Sequence, residues 1–161
     1  MEIERKFLVK AIPSNLDTYT KRTIEQAYLN TSPVVRIRRD NDEYVLTYKS
    51  KGLMTREEYN LPLTKEAYYH LLEKADGNII TKDRYMIPEK DGLVIELDIF
   101  KGIFNGIIVA EVEFPNEDMA NSYTPCEWFD KDVTFDKVFH NSKMSTMTLE
   151  EIEILKNNVA I

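Results

Sequence analysis

The sequence predicts an α+β protein that is mainly β: an eight-stranded antiparallel β-barrel, closed into a tunnel, with a few flanking helices and a C-terminal helix. Two observations support this prediction. Short segments rich in β-branched and aromatic residues alternate with polar residues, and turn-forming pairs such as Asn105-Gly106 separate them at fairly regular spacing. The predicted strands are 1–10, 22–31, 34–40, 43–50, 53–61, 79–87, 93–100 and 107–115.

Helical patterns are few. The clearest covers 64–76, where Thr64 can cap the first turn and Gly77 can end the helix, and a second is predicted from 116 to 122. From Thr148 onward, apolar residues recur at spacings of three and four, which predicts an amphipathic helix to the C-terminus. This helix either closes one mouth of the barrel or packs on its outside.

Length and charge limit the functional classes. The 161 residues are expected to form a single domain, 1–161. Acidic residues outnumber basic ones by 28 to 21, and the net charge of −7 argues against partners such as nucleic acid or an anionic membrane. The single Cys126 cannot form an internal disulfide, and no signal peptide or membrane span is visible, so we expect a cytoplasmic protein.

Charged residues dominate one face of nearly every predicted strand, because side chains two residues apart share a face. A single charged face is more often a solvated face, but here acids occur as same-face pairs and bases form separate rows. The residues concerned are Glu2, Glu4, Lys6, Arg36, Arg38, Lys49, Lys51, Arg56, Glu58, Lys82, Arg84, Glu96, Asp98, Glu111 and Glu113.

Enclosing these faces in a barrel has an electrostatic consequence. Carboxylates two residues apart on a strand lie ~7 Å from each other, and their repulsion rises from ~0.6 kcal/mol in water to ~2–2.5 kcal/mol at an effective dielectric near 20. Three such pairs require cations, and hard oxygen ligands favour Mg²⁺ or Mn²⁺. Rows of Lys and Arg grip phosphate oxygens, so the pattern predicts a metal-dependent polyphosphate site.

Several motifs resemble one known family. Glu2-Ile3-Glu4-Arg5-Lys6 is similar to the ExExK signature of the CYTH family, the triphosphate tunnel metalloenzymes, and Arg36-Ile37-Arg38, Lys82-Asp83-Arg84-Tyr85, Glu96-Leu97-Asp98 and Glu111-Val112-Glu113-Phe114 follow in the family's order. The resemblance implies an eight-stranded tunnel that binds triphosphates, and the short chain looks most like the bacterial inorganic triphosphatases.

The resemblance also implies roles. Glu2, Glu4 and Glu113 resemble the metal ligands, with Asp98 and Glu111 close by. The phosphate-binding residues are expected to be Lys6, Arg36, Arg38, Lys49, Lys51, Arg56, Lys82 and Arg84. In the predicted hydrolysis a second metal ion or a carboxylate such as Glu111 orients and activates water, and Lys82 and Arg84 stabilise the leaving group.

Two departures and several alternatives stay open. Many relatives carry Glu where this chain has Asn60, and a basic residue where it has Val138, although Lys137 or His140 could supply that charge. Inorganic tripolyphosphate is the expected substrate, with nucleoside triphosphates as further candidates. The alternatives are a class IV adenylate cyclase and a non-catalytic polyphosphate- or nucleotide-binding module.

Oligomeric state is a separate question. Tyr85, Ile95 and Leu97 are predicted on the outer wall of the barrel, where apolar side chains need covering. The chain's own helices or a second copy of the chain would cover them. A homodimer is therefore one of two options.

Overall fold

A computed structural model describes all residues from Met1 to Ile161. The strands are β1 (Glu2–Val9), β2 (Thr20–Thr31), β3 (Val34–Asp40), β4 (Glu43–Lys49), β5 (Thr55–Arg56), β6 (Glu58–Pro62), β7 (Asp76–Pro88), β8 (Val94–Phe100), β9 (Ile108–Glu113) and β10 (Phe129–Asp132). The helices are α1 (Lys65–Leu72), α2 (Glu117–Ser122), α3 (Asn141–Met144) and α4 (Leu149–Val159), and four short 3-10 turns complete the structure.

The strands form one antiparallel sheet that curls into a nearly closed barrel. Its order is β10-β1-β9-β8-β7-β2-β3-β4-β6, and β5 returns to pair with β1 through Glu2–Arg56 and Ile3–Thr55. The eight predicted strands therefore build the wall, as expected, with β5 and β6 together occupying the place of the predicted strand 53–61. That strand is divided because its two parts have different partners: Glu57 still hydrogen-bonds to Ser50 beside β4, whereas Thr55 and Arg56 pair with β1.

An additional strand, β10, was not predicted. Its sequence, Phe129-Asp130-Lys131-Asp132, has no alternating apolar pattern that would reveal a strand. It pairs with the outer edge of β1, where Phe7 lies opposite Asp132 and Val9 opposite Phe129. Arg5 fixes this strand by donating a hydrogen bond of 2.9 Å to the Asp132 carboxylate.

The apolar outer face of β1, β8 and β9 is covered by the chain itself. Leu97 and Ile95 are buried, and they belong to a core cluster that also contains Ala120 of α2, Tyr123 and Phe129. Burying each such large side chain stabilises the fold by ~1.5–3 kcal/mol. At this face the chain's own α2 region and β10 cover the outer wall, so Ile95 and Leu97 do not need a second subunit to bury them.

The C-terminal cap, residues 133–159, closes one end of the barrel. Phe100 and Val109 lie on the same strand faces as the charged residues, but at this end they pack against Phe139, Met144 and Leu155. The short segment around α3 enters the barrel, whereas α4 packs behind it. A capping box at Thr148 and Glu151 starts α4. No helix combines the length and the apolar character needed to cross a membrane.

Candidate active site

The barrel encloses a charged cavity, which we call the tunnel cavity, of about 290 Å³. Only three of its 24 lining residues are hydrophobic. Eleven of the thirteen predicted site residues line it: Glu2, Glu4, Lys6, Arg36, Arg38, Lys49, Arg56, Lys82, Arg84, Glu111 and Glu113. The alternation of charges along the strands thus corresponds to an inner face.

Strand register brings the acidic residues of β1 and β9 together. Glu4 lies opposite Glu113 and Lys6 opposite Glu111, while Glu111 is also opposite Glu96 on β8. Directly opposed side chains on a sheet have Cβ atoms only ~4.5–5.5 Å apart. The register therefore places carboxylates from two strands in direct contact range, which spacing along one strand alone does not achieve.

This crowding of carboxylates changes their proton affinity. Burial, followed by the charges of Glu111 and Glu2, raises the pKa of Glu4 to about 8. Partial burial and the neighbouring carboxylates, Glu2 first, also raise the pKa of Glu113. Both shifts show that a negative charge at these positions lacks sufficient positive partners, so a bound cation would lower the energy of the ionised pair.

Carboxylate oxygens are suitable ligands for a hard divalent cation, but these carboxylates do not surround a common point. No group of three or more His, Cys, Asp or Glu side chains converges on one point. Glu2 is held away because Lys49 donates hydrogen bonds of 2.9 and 3.0 Å to its two oxygens. Glu4 and Glu113 present carboxylate oxygens from opposed strands, and the oxygens of Glu2 would be available to a cation only after Lys49 is released.

Opposite the carboxylates lies a group of cations that are short of negative partners. Burial, and then the charges of Arg36 and Arg84, lowers the pKa of Arg38 to about 9. Burial is also the first cause of a lowered pKa of about 7 at Lys82, despite its contact with Asp98. The Nε atom of Arg36 is buried without any hydrogen-bond partner. This side of the cavity is therefore built to receive an anion.

Asp98 has a different setting from the one predicted for a metal ligand. It is fully buried behind the tunnel cavity, where Arg84 donates hydrogen bonds of 2.7 and 2.9 Å to its two oxygens. Lys82 lies 2.7 Å from the same carboxylate. Both oxygens are occupied by cations, so the geometry favours a role in positioning Lys82 and Arg84 over metal binding.

Glu111 sits between the acidic and basic sides. Its carboxylate is 3.4 Å from the Lys6 ammonium and 3.9 Å from the Arg84 guanidinium. Against the opposing effect of burial, these cations hold its pKa well below the usual range. Glu111 therefore stays ionised, which suits a group that accepts a hydrogen bond from water more than one that stores a proton.

The C-terminal cap contributes residues that the strand pattern missed. The Asn141 side-chain oxygen accepts hydrogen bonds from Lys82 at 2.9 Å and from Gln26 at 2.8 Å. Lys6 donates to the backbone oxygen of Phe139 at 3.0 Å. Nothing in the local sequence of this cap signals its entry into the barrel, because 133–147 has neither a strand nor a helix period.

Comparison with known proteins identifies the fold family. The CYTH domain matches residues 1–129 of the chain. The chain belongs to the CYTH family.

Two curated relatives of this CYTH chain are both named inorganic triphosphatase. The protein from Nitrosomonas europaea is 35% identical over 147 residues, which cover 89% of this chain and 96% of that protein. The protein from Acetivibrio thermocellus is 32% identical over 154 residues, with 89% and 92% covered. The solved structure of the inorganic triphosphatase NE1496 superposes with a TM-score of 0.69 at 32% identity, covering 92% of this chain and 96% of that one.

A more distant solved structure has the same fold. A Hippeastrum protein described as an adenylyl cyclase with a dominant triphosphatase activity has a TM-score of 0.59 at 19% identity. The match covers 75% of this chain and 83% of that chain. At this identity the likeness shows the CYTH fold alone.

The two sequence departures have structural counterparts. Asn60 lies beside Glu58 and donates a hydrogen bond of 2.9 Å to its carboxylate, while its oxygen accepts from Thr47. At the other departure, His140 lines the tunnel cavity, but burial and the charge of Lys6 lower its pKa to about 4. His140 is therefore neutral near pH 7 and does not supply the positive charge missing at Val138.

Lys51 differs from the other predicted phosphate-binding residues. Strand β4 ends at Lys49, so the alternation that placed Lys51 on the inner face stops before it. Lys51 is exposed and lines a second cavity, outside the tunnel cavity. The prediction that it contacts the triphosphate in the barrel is not supported by this geometry.

Proposed function

We propose that this protein hydrolyses inorganic tripolyphosphate in the tunnel cavity with the help of a divalent metal ion. The observation that carries the proposal is the pair of guanidinium groups of Arg36 and Arg38, which has no carboxylate partner and faces buried carboxylates across the tunnel cavity. A linear triphosphate bound to a metal ion carries both the negative charge and the positive charge that the two sides lack. The two relatives named inorganic triphosphatase support the same substrate.

The basic residues hold the phosphate chain. Arg36 and Arg38 offer guanidinium groups from neighbouring positions of β3, and the buried Arg36 Nε is a free donor for a phosphate oxygen. Arg56 likewise has a buried Nε without a hydrogen-bond partner. Lys6 and Lys82 are at present bound to carbonyl oxygens of the C-terminal cap, which phosphate oxygens would replace.

The metal is assigned to the acidic side. Glu4 and Glu113, with Glu2 after it releases Lys49, are the oxygen ligands expected to hold Mg²⁺ or Mn²⁺. When bound, this ion neutralises charge on the phosphate oxygens and lowers the pKa of a bound water.

Glu111 and the cations around it carry out the remaining steps. The ionised Glu111 carboxylate accepts a hydrogen bond from the attacking water and aims its oxygen at the terminal phosphorus. As the new P–O bond forms, the bond to the bridging oxygen breaks, and Lys82 and Arg84 stabilise the negative charge on the leaving pyrophosphate. The water's proton passes to the departing phosphate groups, and the products are orthophosphate and pyrophosphate.

Other substrates and activities have less structural support. The aromatic ring that lines the tunnel cavity, Tyr28, is 3% exposed and lies beside Gln26, so it offers no free face on which a nucleobase could stack. Nucleoside triphosphates remain candidates when the base stays outside the barrel. No observation favours the adenylate cyclase alternative.

The wider context is also part of the proposal. We propose that residues 1–161 work as one domain, because the C-terminal cap completes the core at one end of the barrel. The single free thiol, Cys126, suits a reducing compartment such as the cytoplasm. A triphosphate is the expected partner. The outer-wall residues that suggested a homodimer, Tyr85, Ile95 and Leu97, pack against other parts of the same chain.

The proposal is tested by measuring phosphate release from tripolyphosphate, ATP and thiamine triphosphate, each with Mg²⁺, Mn²⁺ or EDTA. The Glu4→Gln variant is compared with Glu127→Gln, which removes an exposed carboxylate that does not line the tunnel cavity. Turnover of tripolyphosphate that is lost with EDTA and in Glu4→Gln, but kept in Glu127→Gln, supports the proposal. Binding without any turnover would replace it with the binding module, and cyclic AMP from ATP would replace it with the cyclase.

A further inference from the structure

A second cavity opens beside the tunnel cavity, at the end closed by the C-terminal cap. This basic cavity measures about 690 Å³ and lies between the β2–β3 turn, the loop that follows β4, and the residues around α3. Its charged or titratable lining residues are Lys51, Arg56, Lys137, His140 and Lys143, and no Asp or Glu is among the residues that line it. The absence of carboxylates is notable in a chain with a net charge of −7.

The three lysines of this cavity are not engaged elsewhere. Lys51, Lys137 and Lys143 are exposed, and none of their ammonium groups takes part in an ion pair or a side-chain hydrogen bond. By contrast, a cavity on the acidic side of the barrel is lined by Glu96 and Glu113. Openings of the barrel therefore differ in the sign of their charge, and the basic one would attract an anion.

The basic cavity lies next to the tunnel cavity. Arg56, His140, Ser142 and Val34 line both. Arg56 is largely buried at this junction, and its Nε makes no hydrogen bond, although it lies 3.4 Å from the Glu2 carboxylate. A phosphate group that moves from the tunnel cavity into the basic cavity would therefore meet a partly satisfied guanidinium at the boundary and free ammonium groups beyond it.

We propose that the basic cavity binds a phosphate group that lies beyond the three held in the tunnel cavity. This group comes from one of two sources: orthophosphate released by hydrolysis, or the fourth phosphate of a longer linear polyphosphate. The proposal rests on the proposed function, because it assumes that the tunnel cavity holds a triphosphate. Lys137 and Lys143 line the basic cavity but not the tunnel cavity. Changing them therefore tests phosphate binding in the basic cavity without altering the residues proposed to bind the triphosphate.

The test is isothermal titration calorimetry of orthophosphate, tripolyphosphate and linear tetrapolyphosphate in buffer with EDTA, where metal-dependent turnover cannot interfere. The Lys137→Gln/Lys143→Gln double variant is compared with Lys10→Gln/Lys74→Gln, which removes two exposed lysines elsewhere and so has the same net charge. Two charge-assisted contacts to phosphate should change the dissociation constant by about tenfold or more. The affinity for tripolyphosphate should stay within about twofold in both double variants.

The pattern of losses identifies the source. Weaker orthophosphate binding with unchanged preference for tetrapolyphosphate over tripolyphosphate assigns the cavity to the released product, and steady-state inhibition by orthophosphate should then weaken equally. Weaker tetrapolyphosphate binding assigns it to a longer chain. If the lysine variant matches its control for both anions, the proposal is overturned even when tripolyphosphate is hydrolysed. Absence of tripolyphosphate hydrolysis instead overturns the proposed function, and the calorimetric comparison still decides whether the basic cavity binds phosphate.

Discussion

Replacing Asp98 with Asn tests whether this residue positions the cations or binds the metal. Asp98 has no exposed surface, and its two oxygens accept two hydrogen bonds from Arg84 and one close contact from Lys82. Asn keeps the size of the side chain but removes the charge and turns one acceptor into a donor. The two cations then face each other without their shared carboxylate.

The expected cost follows from these contacts. Breaking a buried ion pair by removing one partner destabilises a protein by about 3–5 kcal/mol, because a buried charge is left uncompensated. Glu96 limits the loss, since its carboxylate remains 2.6 Å from Arg84. We therefore expect Asp98→Asn to lower the free energy of unfolding by about 3 kcal/mol, which corresponds to a melting temperature roughly 6–12 °C lower for a chain of this size.

The measurement combines urea unfolding without ligand and tripolyphosphate hydrolysis as a function of Mg²⁺ concentration. A positioning role predicts lower stability and a lower kcat, with an unchanged Mg²⁺ concentration at half-maximal rate. Glu113→Gln serves as the comparison, because it is expected to raise that Mg²⁺ concentration while having little effect on stability. A loss of less than about 1 kcal/mol in Asp98→Asn, together with a raised Mg²⁺ requirement, would refute the reasoning and restore Asp98 as a metal ligand.

Three further predictions concern the C-terminal cap and the part of β7 that contacts it. Gly77→Ala should cost more than about 2 kcal/mol in urea unfolding, because Gly77 has φ +73° and an added Cβ would overlap the Ser145 backbone oxygen; a neutral effect would contradict that packing. Burial lowers the pKa of His140 from 6.5 to about 4, so the unfolded chain binds the proton first and stability should fall as pH drops from 6.5 towards 4. This loss, at most about 3 kcal/mol at 1.36 kcal/mol per pKa unit, should be smaller in His140→Gln when unfolding is measured across that range. Asn141→Ala should cost about 1–2 kcal/mol because the Gln26 amide loses its closest acceptor and the Lys82 ammonium keeps only Asp98, and tripolyphosphate should restore part of the loss in thermal unfolding.

The barrel could be predicted from sequence because its inner face is chemically unlike its outer face. Glu2, Glu4 and Lys6 alternate with Ile3, Arg5 and Phe7 on the outer face, and a similar period-two pattern recurs on the other strands. A one-residue shift in register would bury the wrong set, so the pattern fixes which side chains point inward. The family signature then orders the strands, and the structure confirms the mainly antiparallel barrel with eight wall strands and an added β10.

The arrangement of the site was less predictable where it depends on contacts between distant segments. The charge pattern places Asp98 on the inner face correctly, but it cannot show that two cations occupy both of its oxygens. It also extends the alternation to Lys51, although β4 ends two residues earlier, at Lys49. The entry of Asn141 into the barrel depends on packing of the C-terminal cap, for which neither strand nor helix periodicity gives a sign.

The distribution of charge explains how a chain with a net charge of −7 can hold a polyanion. The carboxylates on the inner face do not cancel the cations uniformly: Asp98 and Glu111 pair with Lys6, Lys82 and Arg84, and leave the guanidinium groups of β3 without acidic partners. Burial, followed by the charges of Arg36 and Arg84, lowers the pKa of Arg38, while burial and the neighbouring carboxylates raise the pKa of Glu4 on the opposite side. The charged forms of Arg38 and Glu4 are therefore both disfavoured by their surroundings. A phosphate chain would stabilise the first charge, and a metal ion would stabilise the second. Binding of one should accordingly strengthen binding of the other, since either partner alone corrects only half of the imbalance.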